Sequence, residues 1–325
     1  MTSPTISVVI VNWNSRDDVL AGIESLRPAA DLEIVVVDNG STDDSVSSIR
    51  RLHPQVKLVL AGRNLGFAEG CNRGIEATQS EWVFLLNNDA VVAPDCLGYL
   101  RNAAHGAPPD VGMIQACLVF RHRPDRVNSS GVVVFSNGAA RDRHFAEPVT
   151  AAAEPAEVFC STAGAALYRR SMLEQVRTGA GYFDRRFFMY FEDVDLGWRC
   201  RLAGWRAVYR PEAVVLHRFQ GSSTRHGRNF AKRYCQINRV HTLVKNASLS
   251  MLFRTVPRTV NDLLGLTFNG SPGALWQLAR HLAGSVRERH LIARMTRVDR
   301  TELEQQWMRT PEFRAPRLEL PVQLD

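Results

Sequence analysis

Hydrophobic and polar residues alternate in blocks along the first 120 positions, in the pattern typical of repeated strand–helix units. Segments with helical spacing separate five runs rich in β-branched residues: ISVVIV, LEIVVVD, VKLVLA, EWVFLLN and VGMIQACLVF. These runs are continuously apolar, as expected for strands of a sheet that helices cover on both faces. We therefore predict an α/β fold, with a mostly parallel, Rossmann-like sheet flanked by helices from Thr5 to about Leu118.

Polar side chains follow four of these strands. Each of the four polar segments, taken alone, is typical of turns and helix caps. Four together at one edge of a parallel sheet favour a ligand site, because ligands bind beyond the carboxyl ends of such strands. The segments are Asn12-Trp13-Asn14, Asp38-Asn39-Gly40-Ser41, Arg63-Asn64-Leu65-Gly66 and Asn87-Asn88-Asp89.

The middle of the chain contains a polar excursion and an acidic helix start. We interpret residues 140–156 as a loop over a site. Val194, Trp198 and Leu202 recur at helical spacing, which predicts a buried stripe and places Glu192 and Asp193 in the first turn. Acids in a first turn also have a purely structural explanation, because the helix dipole stabilises them there.

The C-terminal third is predicted to be helical and basic. Residues 1–217 carry 22 basic and 25 acidic side chains, whereas residues 218–325 carry 18 and 8, a net charge of +10. We expect residues 230–247 to pack on the rest of the protein and residues 249–292 to lie in a membrane interface. The Pro-rich segment from Thr310 is predicted to be irregular.

Composition narrows the class of protein. A chain of 325 residues with 45% hydrophobic and 22% charged residues is neither disordered nor collagen-like, and predicts one or two globular domains. Six dispersed cysteines match neither a disulfide framework nor a zinc motif, which favours a reducing, cytoplasmic compartment. The N-terminal apolar run is interpreted as a strand, not a signal peptide, and Gly and Pro interrupt residues 263–279, so no transmembrane helix is predicted.

One strand-end carboxylate suggests metal chemistry. Hard divalent cations prefer oxygen ligands, and Asp89 supplies one at the end of a strand. His217, which ends the apolar run AVVLH, is a second candidate ligand, although a single strand-end histidine is more often structural.

Six motifs in order resemble glycosyltransferase family 2 enzymes of the GT-A fold, and bacterial rhamnosyltransferases in particular. The resemblance implies a GT-A catalytic domain over residues 1–220 and a basic, mainly helical extension over residues 221–325. The motifs are SVVIVNWNS, VVVDNGSTDDS, NLGFAEGCNRGI, FLLNNDAVVAPD, FFMYFEDVDLGWRCRLAGWR and VVLH.

The resemblance also implies roles for individual residues. Asp38 would bind the nucleotide base or ribose, and Asp193, next to Glu192, would be the general base. The metal site would bind Mg²⁺ or Mn²⁺ through Asp89, Asn87 and His217, and Asn87 departs from the family's D-x-D motif. The residues expected to bind the nucleotide sugar are Asn12, Asn14, Asp38, Asn64, Gly66, Asn72 and Asn88.

The activity implied is an inverting transfer in cell-wall or polysaccharide biosynthesis. The favoured donor is dTDP-L-rhamnose, with UDP-sugars as the alternative, and the expected acceptor is a hydroxyl of a lipid-linked or cell-surface glycan. We expect a cytoplasmic protein; a peripheral position at the inner face of the plasma membrane and an oligomeric state stay open.

Three other classes of protein fit single features of the sequence. Asn87 would suit a catalytically weak scaffold or regulatory subunit with a decayed metal site. A nucleotidyltransferase would need a Gly-rich phosphate loop after the first strand, which Asn12-Trp13-Asn14-Ser15 does not provide. The basic tail would suit nucleic acid, but no recognised nucleic-acid motif accompanies it, so no nucleic-acid partner is expected.

Overall fold

A computed structural model describes residues 5–26, 32–219, 228–268 and 273–309. The irregular segment predicted from Thr310 lies outside these ranges. The strands are β1 Ile6–Asn12, β2 Glu33–Asp38, β3 Lys57–Leu60, β4 Trp82–Asn87, β5 Ala90–Val92, β6 Val111–Phe120, β7 Arg123–Ser129, β8 Val132–Val134, β9 Ala140–Asp142, β10 Ala156–Val158, β11 Ala165–Arg169 and β12 Arg206–His217. The helices are α1 Arg16–Ser25, α2 Ser45–Leu52, α3 Phe67–Glu76, α4 Cys96–His105, α5 Arg170–Val176, α6 Glu192–Leu202, α7 Arg228–Asn246, α8 Leu249–Phe268, α9 Gly273–Met295 and α10 Arg300–Trp307.

The five strands predicted from the apolar runs are present as β1, β2, β3, β4 and β6, and helices α1 to α4 follow the first four as expected. The main sheet has the order β10-β12-β6-β11-β4-β1-β2-β3, with β5 paired to β12 and β7 to β6. Six of its ten described strands run in one direction, since β11 is antiparallel to both β4 and β6 and β12 is parallel to β6. The expectation of a mostly parallel α/β sheet is confirmed.

Alternate residues of the central strands point into two separate cores. On β1, Val8 and Ile10 belong to one buried cluster and Val9 belongs to the other. Helices α1, α2 and α4 cover the first face, while α3, α5 and α6 cover the second. Helices on both faces explain why these strands are continuously apolar.

Strand β12 brings the distant His217 to the carboxyl edge of the sheet. Its last residues pair with β6 on one side and with the short strand β5 on the other, which places His217 opposite Ala90. Asp89 immediately precedes β5. The antiparallel pairing of β5 with β12 therefore sets the two side chains next to each other.

Helix α6 confirms the predicted buried stripe. Val194, Trp198 and Leu202 are all buried, and the helix begins at Glu192, with Asp193 in its first turn. The adjacent face of the helix carries Asp195 and Arg199, which are also buried. Because buried charges are costly unless paired, these two residues require partners.

Helix α7 supplies the main partner, Lys245. The fully buried ammonium group of Lys245 lies 2.7 Å from Asp195, 2.8 Å from Asp184 and 3.0 Å from Glu288 of α9. Burial alone would raise the pKa of Asp184, but Lys245 and Arg186 hold this pKa far below its usual range. The packing expected for residues 230–247 is thus observed, while the division at residue 220 remains a proposal.

Helices α8 and α9 follow α7 in the C-terminal part of the chain. Among the described helices, none combines the length and apolar character needed to cross a membrane. Helix α10 follows, with the Asp299 carboxylate accepting hydrogen bonds from the first-turn amides of Thr301 and Glu302.

Replacement of Lys245 by methionine should destabilise the protein by about 3–5 kcal/mol, because Asp184, Asp195 and Glu288 would lose a buried cation. Denaturant unfolding followed by circular dichroism measures this change. Lys232→Met is the matched control: Lys232 is exposed on the same helix, and its loss should alter stability by less than about 0.5 kcal/mol. Equal stability of the two variants would contradict the role assigned to Lys245.

Candidate functional site

A cavity of about 490 Å³ opens at the carboxyl edge of the sheet. Its walls come from the ends of β1, β4 and β12, the start of α6, and one face of α7. Eight of the residues predicted from the sequence line it: Asn64, Gly66, Asn87, Asn88, Asp89, Glu192, Asp193 and His217. Volume and position are typical of a small-molecule site in an α/β protein.

The four other predicted residues are described by the structure but do not line this cavity. Asn12 is fully buried behind it, donating to Asp38 (3.5 Å) and Ser41 (3.3 Å) and accepting from Asn88 (3.3 Å). Asp38 accepts a hydrogen bond from the backbone amide of Ser41 (3.0 Å). Their side chains thereby fix the turn that follows β2 and the orientation of Asn88.

Asn14 and Asn72 also bond to backbone groups. The Asn14 side-chain oxygen accepts from the amide of Thr42 (2.7 Å), which joins the first two strand ends. Asn72 accepts from the backbone amide of Phe183 (2.9 Å) and donates to its carbonyl (2.8 Å). Each of these asparagines positions a neighbouring segment.

One corner of the cavity brings together the three predicted metal ligands, Asn87, Asp89 and His217. We call it the metal-type corner. The Nε2 atom of His217 lies 2.9 Å from an Asp89 carboxylate oxygen and 3.2 Å from the amide nitrogen of Asn87. On the other side of the ring, Nδ1 lies 2.8 Å from the side-chain oxygen of Asn128. For a neutral imidazole with Asn128 so oriented, the proton is on Nδ1, and the Nε2 lone pair faces Asp89.

This donor set fits a hard divalent cation. In the tautomer with the proton on Nδ1, the Nε2 lone pair and the Asp89 carboxylate oxygen, 2.9 Å apart, are suited to share a positive ion. Asn87 presents its nitrogen to His217, so coordination by this residue requires a half-turn of the amide. Within the described ranges, no cluster of three or more His, Cys, Asp or Glu side chains is present. A cation bound here would therefore take further ligands from water or phosphate oxygens, as Mg²⁺ commonly does.

The acidic pair at the start of α6 has two unequal environments. Burial and the neighbouring Asp193 raise the pKa of Glu192 well above its usual range, and its Oε2 atom has no hydrogen-bond partner in the described residues. Burial also raises the pKa of Asp193, but its carboxylate accepts hydrogen bonds from the amides of Val194 (2.8 Å) and Ala163 (3.4 Å). These bonds favour the charged form, so Asp193 is the residue of the pair that ionises more readily.

A strained loop precedes this pair. Phe188, Tyr190 and Phe191 have φ angles of 62°, 68° and 68°, in the left-handed region that is costly for bulky residues. The side chain of Asn238, on α7, donates to the carbonyls of Phe187 (2.9 Å), Met189 (3.0 Å) and Tyr190 (2.8 Å). Helix α7 thus holds the loop that leads into Glu192 and Asp193.

Gly66 allows the strained loop to approach the cavity closely. Gly66 has a φ of +87°, and a Cβ atom here would lie 2.5 Å from the carbonyl oxygen of Phe188. Any larger residue would push the loop away from α3. The glycine predicted from the sequence is therefore required by backbone geometry.

Sequence reasoning missed several lining residues. Asn39 is in the strand-end segment after β2 and bonds to Asn64 (3.1 Å), to the carbonyl of Gly66 (3.1 Å) and to the amide of Leu65 (3.0 Å). The same strand-end signal that selected Asp38 could have selected it. Trp13 lies in the strand-end segment after β1 and carried the same signal. Further lining residues without such a signal include Phe67, Arg141, Asp142, Phe188 and Cys235.

Asp142 is the most notable addition, because it places another carboxylate in the cavity. It ends β9, within the excursion interpreted as a loop over a site. The residues of this excursion that line the cavity are Ala140, Arg141 and Asp142, and they form a strand instead of the predicted loop. Burial raises the pKa of Asp142 to about 6, and Asp193 adds to this rise. A single aspartate in a polar segment gave no signal from the sequence.

The family comparison matches residues 7–177, about half of the chain, to the Glycosyl transferase family 2 model. An N-acetylglucosaminyl-diphospho-decaprenol L-rhamnosyltransferase of Mycobacterium tuberculosis is 32% identical over 186 residues, covering 50% of this chain and 58% of the relative. The match thus spans little more than half of the relative's length. An uncharacterized protein of Sinorhizobium fredii is 28% identical over 175 residues, covering 50% of this chain and 18% of that protein.

Solved structures show the same fold at low identity. The mannosyltransferase PcManGT of Pyrobaculum calidifontis, in complex with GDP-Man and Mn²⁺, has a TM-score of 0.53 at 17% identity, covering 94% of this chain and 88% of its own. GalNAc-T7 with UDP, GalNAc and Mn²⁺ has a TM-score of 0.57 at 15% identity. The match covers 75% of this chain and 48% of the GalNAc-T7 chain. The expected GT-A architecture is confirmed.

Asn238→Ala should lower the free energy of unfolding by about 1–3 kcal/mol, because three loop carbonyls would lose their buried donor. Asn261→Ala is the matched control, since Asn261 is exposed on α8 and alanine has the higher helix propensity there. Urea unfolding of both variants makes the comparison. If Asn238→Ala were as stable as the control, the loop would not depend on α7.

Proposed function

This chain belongs to glycosyl transferase family 2, and we propose that it transfers L-rhamnose from dTDP-L-rhamnose to a hydroxyl of a lipid-linked glycan, inverting the anomeric carbon. That it is a glycosyltransferase follows from its family and fold. The choice of rhamnose and of a lipid-linked acceptor is supported by the mycobacterial relative, which is named as an N-acetylglucosaminyl-diphospho-decaprenol L-rhamnosyltransferase. A cytoplasmic enzyme of cell-wall or polysaccharide biosynthesis, acting at the inner face of the membrane, is the setting proposed.

The observation that carries the proposal is the meeting of two chemical groups in one cavity. The metal-type corner of Asp89 and His217 and the acidic pair Glu192 and Asp193 both line it. Transfer by a single displacement needs a base for the acceptor hydroxyl and positive charge for the departing diphosphate. The cavity offers groups suited to both.

Asp193 is proposed as the base. Its carboxylate takes the proton from the acceptor oxygen as that oxygen attacks the anomeric carbon from the face opposite the nucleotide. Hydrogen bonds from Val194 and Ala163 orient the carboxylate. Glu192 has the higher tendency to hold a proton and is proposed to leave the negative charge on Asp193.

Asp89 and His217 are proposed to hold a divalent cation, Mg²⁺ or Mn²⁺, with Asn87 as a further ligand. When bound, the ion supplies positive charge that stabilises the leaving nucleoside diphosphate. Asn128 fixes the imidazole ring of His217 through Nδ1. The Mn²⁺ present with two of the similar structures supports this assignment.

The nucleotide is proposed to bind at the end of the cavity formed by the β1 and β2 turns. Asn39 and Trp13 line this end, and Asn64, Gly66 and Asn88 continue it toward the metal-type corner. Asp38, Asn12, Asn14 and Asn72 are proposed to contribute by holding the turns, since their side chains bond to neighbouring segments.

Nucleotide specificity can be tested by thermal shift with dTDP, UDP and GDP, each with and without Mg²⁺ or Mn²⁺. We expect the largest metal-dependent rise in Tm with dTDP, because ligands that bind the native state stabilise it. Asp38→Ala should reduce that rise. A larger rise with UDP would replace the proposed donor by a UDP-sugar, and no rise with any nucleotide would favour a catalytically weak scaffold.

Asp193→Asn should reduce turnover by a factor of about 10²–10⁴, the usual contribution of a general base, without loss of nucleotide affinity. Glu192→Gln is the matched control: it makes the same change one residue away, in a side chain that already tends to be neutral. We expect a clearly smaller loss for the control in initial-rate assays. Near-normal turnover of Asp193→Asn would remove Asp193 from the mechanism.

A further inference from the structure

Helix α8 exposes a continuous apolar stripe. Its five residues recur at intervals of four, three, four and four, so they lie on one helical face. Each side chain is between 49 and 75% exposed. The members of this α8 stripe are Leu249, Phe253, Val256, Val260 and Leu264.

The opposite face of α8 is firmly packed, so the helix itself is anchored. Met251 and Thr255 are almost fully buried, and Leu266 lies in a small core with Ile237 of α7 and Leu278 of α9. The helix therefore has two apolar sides, one covered by the protein and one open. An apolar face that stays exposed on an anchored helix indicates a binding partner.

Helix α9 adds a second exposed apolar set. Trp276 is 64% exposed, and its ring lies 5.1 Å from the guanidinium carbon of Arg280. Tryptophan next to arginine is typical of the boundary between water and lipid. The other exposed apolar residues of α9 are Leu275, Leu282 and Val286.

The exposed charges on these two helices are all basic among the described side chains. Both acidic residues are held internally, Asp262 by Arg239 at 3.1 Å and Glu288 by Lys245 at 3.0 Å. Arg258 also pairs with Asp262 at 3.6 Å, on the side of α8 away from the stripe. The other exposed arginines of the two helices are Arg254, Arg280, Arg287 and Arg294. A second copy of this surface would bring like charges together, whereas anionic lipid headgroups would match them.

We propose that the α8 stripe docks on an anionic lipid bilayer, with Arg254 and the exposed arginines of α9 supplying the positive charge. The apolar side chains enter the headgroup boundary, and the arginines bind lipid phosphates around them. This inference rests on the proposed function at one point: a lipid-linked acceptor would lie in the same bilayer on which the enzyme docks.

The test is flotation of the full chain with vesicles of phosphatidylcholine, alone or mixed with phosphatidylglycerol. We expect binding to the mixed vesicles, weakened by high salt because screening reduces the attraction of exposed charges. Phe253→Ser/Val260→Ser should lower the bound fraction at least tenfold. Leu52→Ser/Leu60→Ser is the matched control, since both leucines are exposed in the N-terminal half, and should bind as the wild type does.

Three outcomes would overturn the inference. These are no binding to the mixed vesicles, equal binding by the stripe variant and the wild type, and lipid-free self-association that the stripe variant abolishes. Nucleotide affinity is measured on the same samples to separate the two proposals. Lost vesicle binding with normal nucleotide affinity would be a failure of docking alone, and the reverse result would be a failure of the proposed function alone.

Discussion

The buried ammonium group of Lys245 is the constraint on which the arrangement of the cavity depends. It neutralises carboxylates from three separate segments: Asp184 before the strained loop, Asp195 on α6 and Glu288 on α9. A buried charge left without its partner costs several kcal/mol, so these segments are stable only together. The C-terminal helices are consequently part of the framework that shapes the cavity.

The strained loop before Glu192 is held in place by the same C-terminal helices. Phe188, Tyr190 and Phe191 adopt left-handed backbone conformations, which each cost on the order of 1–3 kcal/mol and persist only where their surroundings hold them. Asn238 bonds the loop carbonyls from one side, and the close approach of Gly66 accommodates the loop from the other. The result is an acidic pair whose position is fixed from both halves of the chain, as expected where charged groups must meet a ligand in a defined orientation.

Local pattern was enough to predict much of the fold, because continuous apolar strands and amphipathic helices carry their own signals. The insertion of β11 between β4 and β6, and the pairing of β5 with β12 that joins Asp89 to His217, depend on contacts far apart in the sequence. For the site, strand-end chemistry identified the right edge of the sheet. It could not separate a lining residue such as Asn88 from a buried support such as Asn12, since both are asparagines at strand ends and only the folded chain decides which of them reaches the cavity. Asp142 was missed for another reason, since a single aspartate in a polar segment carries no signal of its own.

Charge in the cavity offers an account of the asparagine at position 87. Asp89, Asp142, Glu192 and Asp193 already line one cavity, and burial raises the pKa of the last three, which shows that their charged forms are poorly solvated there. A carboxylate at position 87 would add a fifth acidic side chain beside a site proposed for a diphosphate. The amide keeps an oxygen for coordination and removes that charge, while its nitrogen can bond to His217 when no ion is bound. On this reasoning an asparagine at position 87 is compatible with the proposed metal site and is not by itself a sign that the site has decayed.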